Sequence, residues 1–194
     1  MSQTFRQLLK QLIDVPDETI DVFEGYGVKK SAHKNEMVFA ADSAPFSKLF
    51  FLEKGLLRAY RIIDGEDISF YFFTPGEFAV DYESYLREST SQLFFEAVLD
   101  SAYLEFDKAD INFLYQEYPK FERVGRLMAE KAYLSATERV KQFQAAPLGA
   151  RYQKLLERAP ELFQQVPQYH IASYLGVKPQ SLSRLRAKLL GKIY

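Results

Sequence analysis

The stretch Gln168–Arg186, QYHIASYLGVKPQSLSRLR, constrains the fold more than any other part of the chain. Apolar or small residues at Ile171, Ala172, Leu175, Val177, Leu182 and Leu185 fall where two crossing helices bury one another. The spacing predicts one helix up to Leu175, a turn at Gly176, and a second helix from Pro179 to about Leu190. Ala172 lets the second helix come close, and Gly176 supplies the positive φ that so tight a turn needs. Pro179 suits a first helical turn, where its missing N–H costs nothing. Outward on the second helix stand Gln180, Ser181, Ser183, Arg184, Ala187 and Lys188. Amide, hydroxyl and basic groups of this kind are what base edges and phosphates bind. An ordinary αα-hairpin at the end of a globular domain is the simpler reading of the same pattern.

Charge bears on the choice between these readings. Residues 1–118 carry 21 acidic and 11 basic side chains, whereas residues 119–194 carry 5 acidic and 14 basic ones. After Glu161 no Asp or Glu remains, while Lys178, Arg184, Arg186, Lys188 and Lys192 do. Solvated faces usually mix both signs, and a basic segment on an acidic body is the footprint of a nucleic-acid reader. The chain has no Cys, which excludes disulfides, thiolate metal sites and cysteine-ligated iron–sulfur clusters. No apolar run approaches the roughly 18 residues that read as a membrane span. The beginning, MSQTFRQLLKQL, lacks a leader layout. A cytoplasmic location and no membrane partner are the expectation.

Residues 2–25 read as short amphipathic helices, with Phe5, Leu8, Leu9 and Leu12 in helical spacing and a restart at Pro16-Asp17. From Tyr26 to Phe106 the pattern turns to short strands: Val28–His33, Met37–Phe39, Lys48–Glu53, Gly55–Ile63, Ile68–Phe73 and Leu93–Phe106. Asp64-Gly65 marks the clearest hairpin. Strands at this density imply a closed antiparallel β-roll or jelly roll. A small helix follows over Asp107–Tyr118, ended by Pro119. The longest helical pattern then runs from Lys120 to about Ala145, roughly 37 Å if straight. Phe121, Val124, Leu127, Met128 and Leu134 form its apolar stripe, continued by Val140 and Phe143. Such a stripe is either core or the seam of a symmetric homodimer, and the seam is the expectation. The fold class is thus α+β in three parts. They are a β-roll over residues 1–118, a connecting helix over 119–146, and a helix-turn-helix domain over 147–194.

The order of acidic β-roll, long helix and basic C-terminal helix-turn-helix resembles the Crp/Fnr family of transcription regulators across essentially the whole chain. YHIASYLGVKPQSLSRLRAKL is the most specific piece. The resemblance implies a cyclic-nucleotide-binding-like roll, a dimerisation helix, and a DNA reader with double-stranded DNA and RNA polymerase as partners. It places Pro179, Gln180 and Arg184 at the base-reading face, with Ser183 on the same helix, and Ser181 near phosphate. Lys178, Arg186 and Lys188 lie within reach of the backbone. Two departures stand out. Only Gly191-Lys192-Ile193-Tyr194 follows the second helix, so the family's β-hairpin wing is expected to be absent or vestigial. The family's phosphate cassette begins Gly-Glu, as Gly76-Glu77 does here, then uses a second Gly-Glu and an Arg-Ser or Arg-Thr pair. The matching positions here are Val80-Asp81 and Ser91-Gln92. The phosphate-pairing guanidinium is missing, and a buried phosphate without a cation is costly. Arg87 replaces it only if the loop is rebuilt. Control by cyclic AMP or cyclic GMP is not expected.

Other chemistries find little support. His33 and His170 are the only histidines and lie in different predicted domains, so a cupin-like metal site is not expected. No phosphate loop of Walker or Rossmann spacing occurs, and no nucleophile motif, so an enzyme is not expected. The run Phe70–Phe73 with Leu93–Phe95 sends about half its side chains into the roll. Either these rings fill the interior, or they line a pocket for an unknown small effector. Arg58, Tyr60 and Arg87 would then be polar handles, beside the cassette positions Gly76, Glu77, Asp81, Ser91 and Gln92. The alternative from another class is a ligand-binding β-roll module whose C-terminal helices bind a protein partner.

Overall fold

The computed structural model describes residues 4–191. Lys192, Ile193 and Tyr194, on which the expected loss of the wing turns, lie outside the described residues. Two helices come first, α1 over Phe5–Leu12 and α2 over Asp17–Tyr26. Thr4 caps α1 in a reciprocal box, taking the Gln7 N–H on its hydroxyl while the Gln7 side chain accepts from the Thr4 N–H. Arg6 pairs with Asp21 and Glu24 of α2 and so ties the two helices together.

Six strands form one sheet: β1 over Val28–Ala32, β2 over Met37–Phe39, β3 over Lys48–Ile63, β4 over Glu66–Phe73, β5 over Phe78–Ala79 and β6 over Phe94–Asp107. Its order is β1-β6-β3-β4, with β2 also on β6 and β5 also on β3. The two long strands β6 and β3 are therefore central, and each is flanked by a pair of short ones. Val28 faces Glu105 and Ala32 faces Ser101, then Met37 faces Glu96, so β1 and β2 follow one edge of β6 in succession. β5 lies antiparallel to β3, with Phe50 opposite Ala79.

Two strands expected on either side of Lys54 are one strand, β3. Gly55 allows this. It has φ +94°, and a Cβ there would stand 2.5 Å from the Asp100 carbonyl oxygen. β3 thus passes close against its neighbour β6 at Gly55, and the Leu56 N–H donates to the Ser101 hydroxyl at 3.1 Å.

The sheet buries two apolar faces. On one, Phe51, Leu104 and Phe106 pack with Phe5, Leu9, Ile20 and Phe23 of the N-terminal helices. On the other, Phe46, Phe50, Phe73, Phe95 and Tyr103 are buried together, with Phe95 stacked on Phe46 at 5.6 Å and on Phe73 at 6.1 Å. Aromatic rings occupy this side, in keeping with the filled-interior alternative.

After the sheet come α4 over Lys108–Glu117, a single 3₁₀ turn at Pro119–Phe121, and α5 over Glu122–Ala145. An unexpected short helix, α3 over Tyr82–Arg87, lies between β5 and β6. Four helices complete the described chain: α6 over Leu148–Arg158, α7 over Leu162–Gln165, α8 over Gln168–Tyr174 and α9 over Pro179–Leu190.

The expected seam needs correction at its start. Phe121 is fully buried and Val124 nearly so, both within the core formed with α1, α2 and α4. Met128 packs partly against the same core. α1 and α2 pack over the 3₁₀ turn and the first turn of α5, so Phe121 and Val124 face the chain's own interior rather than a second copy.

The chain divides into two compact units. One comprises residues 1–59 and 72–134, the other residues 60–71 and 135–194. This differs from the three-part division that the sequence suggested. The tip of the β3–β4 hairpin groups with the C-terminal helices, and α5 is shared between the units.

Candidate nucleic-acid interface and effector region

α8 and α9 build the helix-turn-helix from its buried residues outward. Ile171, Ala172, Leu175 and Leu182 are buried as expected, while Val177 and Leu185 are half-buried. The turn is a Schellman motif: the Val177 N–H donates to the Ala172 carbonyl at 3.0 Å and the Gly176 N–H to the Ser173 carbonyl at 2.9 Å. Gly176 has φ +67°, and a Cβ there would meet the Phe143 ring at 2.5 Å. The Arg139 and Arg151 guanidinium groups in turn each lie 5.1 Å from the centre of the Phe143 ring. The turn is therefore fixed both by backbone geometry and by an aromatic side chain of α5.

α9 opens with Pro179, has no acidic residue in its first turn, and leaves Gln180, Ser183, Arg184, Ala187 and Lys188 exposed along one side. Lys178 and Pro179 are exposed just before them, and Ser181 and Arg186 are half-buried. The Arg184 Nε donates to the Gln180 carbonyl at 3.4 Å, a weak bond within its own helix that a stronger acceptor displaces. The helix dipole, the missing carboxylates and the exposed cations act together to favour an anionic partner. His170 is buried at the start of α8, 3.9 Å from the Asp67 carboxylate.

The residues expected to bound an effector pocket fall into separate groups. Arg58 is buried on β3 and its Nε donates to Glu96 at 2.8 Å, as a buried guanidinium requires. Tyr60 belongs to the other unit. Gly76 and Glu77 form a turn in which the Gly76 N–H donates to the Leu52 carbonyl, while Glu77 accepts from the Thr74 N–H at 2.8 Å. Arg87 is 73% exposed and pairs with Glu83 at 3.3 Å, and Gln92 is exposed.

Asp81 and Ser91, by contrast, are brought together, and Ser84 joins them. The Asp81 carboxylate accepts from the Ser91 hydroxyl at 2.6 Å, the Ser84 hydroxyl at 2.8 Å and the Ser84 N–H at 3.3 Å, where it caps α3. Sequence reasoning missed Ser84, although the spacing Asp81-x-x-Ser84 is a helix-start signal.

These two regions have counterparts in known proteins. Residues 29–118 match the family model of the cyclic nucleotide-binding domain. No curated protein matches the chain. Among solved structures it is similar to the c-di-GMP-responsive global regulator CLP of Xanthomonas campestris, at 16% identity and TM-score 0.70, covering 91% of this chain and 93% of that one. FixK2 of Bradyrhizobium japonicum is similar at 18% identity and TM-score 0.72, covering 86% and 85%. A transcriptional regulator of the Crp/Fnr family from Eubacterium rectale is similar at 12% identity and TM-score 0.69, covering 92% and 85%. The chain has the Crp/Fnr fold. Within that fold α9 stands as the C-terminal helix of the helix-turn-helix, and the Asp81 cluster lies within the residues that match the cyclic nucleotide-binding domain. No described helix is long and apolar enough to cross a membrane.

Proposed function

We propose that the chain is a sequence-specific, DNA-binding transcription regulator of the Crp/Fnr type. The observation that carries this is the exposed row Gln180, Ser183, Arg184, Ala187 and Lys188 on α9, in a segment without a carboxylate after Glu161. α9 enters the major groove, where Arg184 and Gln180 read base edges while Lys178, Arg186 and Lys188 meet phosphates. Pro179, Ser181 and Ser183 shape the approach. A homodimer formed through α5 presents two copies of α9 to half-sites about one helical turn apart. Leu127, Tyr133 and Leu134 supply its seam, since Tyr133 and Leu134 are 71% and 66% exposed.

Cyclic AMP does not control this regulator. The support is Asp81, whose carboxylate takes the hydroxyls of Ser84 and Ser91 and sets a negative charge within the cassette. A cyclic phosphate there meets like charge, and Arg87 of the same stretch is 73% exposed and paired with Glu83. An effector, if one acts, is of another chemistry.

Selection of genomic fragments by the purified full chain tests the reading, with and without cyclic AMP. A shared operator is expected, unchanged by the nucleotide. Arg184→Ala should cost about 1–3 kcal/mol on that operator and relax its sequence preference. Lys188→Ala should weaken operator and random duplex alike and lower the salt slope by about one. Equal losses on both duplexes for the two variants sink the division of labour. Capture of protein partners with no fragment enriched would favour a protein-binding module instead.

A further inference from the structure

The second unit contains a piece that does not belong to the C-terminal helices by sequence, residues 60–71 at the tip of the β3–β4 hairpin. Its contacts converge on the last turn of α8. The Ser173 hydroxyl accepts from the Ser69 N–H at 2.9 Å and reaches the Asp67 carbonyl at 3.2 Å, so one side chain engages two backbone groups of the hairpin. Asp67 also faces His170, one turn earlier on α8. The Arg158 guanidinium sits 4.6 Å over the Tyr71 ring and reaches the Tyr174 hydroxyl at 3.4 Å. From α5, Arg139 lies 4.2 Å over the Tyr174 ring and donates to the Tyr174 carbonyl at 3.4 Å. Ser173 and Tyr174 are thus held by the hairpin, α5 and α6 at once, immediately before the Gly176 turn that aims α9.

We propose that the hairpin tip is a working part of the DNA-binding unit, and that Ser173 is the positioning residue through which it sets the orientation of α9. This rests on the reading of α9 as the base-reading helix. The hairpin leaves the outward row of α9 uncovered, since Gln180, Ser183, Arg184 and Lys188 are exposed with the hairpin in place. Its role is therefore to hold the reader in register and not to mask it. Ser69 is buried on β4, and its N–H is committed to Ser173. A proline at this position deletes that one donor while leaving every residue of α8 and α9 unchanged.

The test uses the full chain with Ser173→Ala, Ser173→Thr and Ser69→Pro. It reads binding to a selected operator, binding to random duplex, the thermal midpoint, and hydrogen exchange over residues 60–71 and 168–190. Ser173→Ala and Ser69→Pro should each weaken operator binding by roughly five- to tenfold, the scale of one or two hydrogen bonds. Random-duplex binding should stay within about twofold, because phosphate contacts tolerate a small tilt. Ser173→Thr, which keeps the hydroxyl, should restore the operator. Operator affinity unchanged in both lesions, with faster exchange confined to residues 60–71, overturns the proposal. So does a loss shared equally by operator and random duplex. If the unaltered chain selects no operator, the reading of α9 fails instead. Exchange then decides the hairpin's part: faster exchange across 168–190 in Ser69→Pro upholds the positioning contact, and unchanged exchange there removes it.

Discussion

Gly55 and Gly65 both hold a positive φ, +94° and +81°, yet they answer to different neighbours. Gly65 sits in open space at the hairpin tip, whereas a Cβ on Gly55 runs into the backbone of β6. Gly55→Ala should therefore cost about 2–4 kcal/mol by denaturant unfolding, combining backbone strain with a clash that neither long strand can relieve. Gly65→Asn should cost under about 1 kcal/mol, since Asn tolerates the left-handed region. Sequence marks the second of these glycines as a turn and gives no hint of the first. Gly55 reads locally as a break between strands, and only the crossing of β3 over Ser101 shows why the strand continues. Ser173 is similar. It lies 104 positions from Ser69, and no local pattern announces a partner so distant. The outward residues of α9 were legible because helical spacing alone decides which side a residue takes.

At the scale of elements, α3 and α4 carry three tyrosines whose phenols are harder to ionise in the folded chain. Burial pushes the Tyr115 phenol up to about 12, and burial likewise raises Tyr82 and Tyr85. A phenol raised above its unfolded value near 10 contributes stability that is whole below about pH 10. That contribution is lost as pH rises from there through the folded value. Thermal midpoints should hold to about pH 10 and then fall steeply toward 12, and Tyr115→Phe should make the fall shallower. An equally steep fall in the variant would remove Tyr115 from the explanation. The elements themselves were largely readable, because alternation and 3.6-residue spacing are strong over runs such as β6 and α5. α3 and β5 were not. Six and two residues are too short to display a period, and their formation rests on the Asp81 cap and on pairing with β3.

For the molecule as a whole, α5 carries the question of assembly. Phe121 just before it and Val124 in its first turn are buried, and its apolar surface re-emerges at Tyr133 and Leu134. Leu134→Glu should leave the monomer folded, with an unchanged circular dichroism spectrum. It should shift sedimentation from dimer to monomer and reduce operator affinity by about tenfold or more, as paired half-sites are lost. A wild-type chain that sediments as a monomer at micromolar concentration would discard the seam. Sequence showed the stripe but could not divide it. Telling an inward from an outward stretch of one helix requires knowing that α1 and α2 lie against its beginning.

The polypeptide passes between its two units three times, at Ala59, at Tyr71 and at Leu134. On the proposed reading of α9, a reader grouped with a hairpin from an earlier part of the chain is not a detachable cassette. Recombination at the long helix, the obvious place to exchange one specificity for another, would deliver residues 135–194 without the segment that grips Ser173. Chimeras joined there inherit a foreign hairpin against their α8. Such an exchange disturbs the contact at Ser173, whereas substitutions along the outward row of α9 leave it in place.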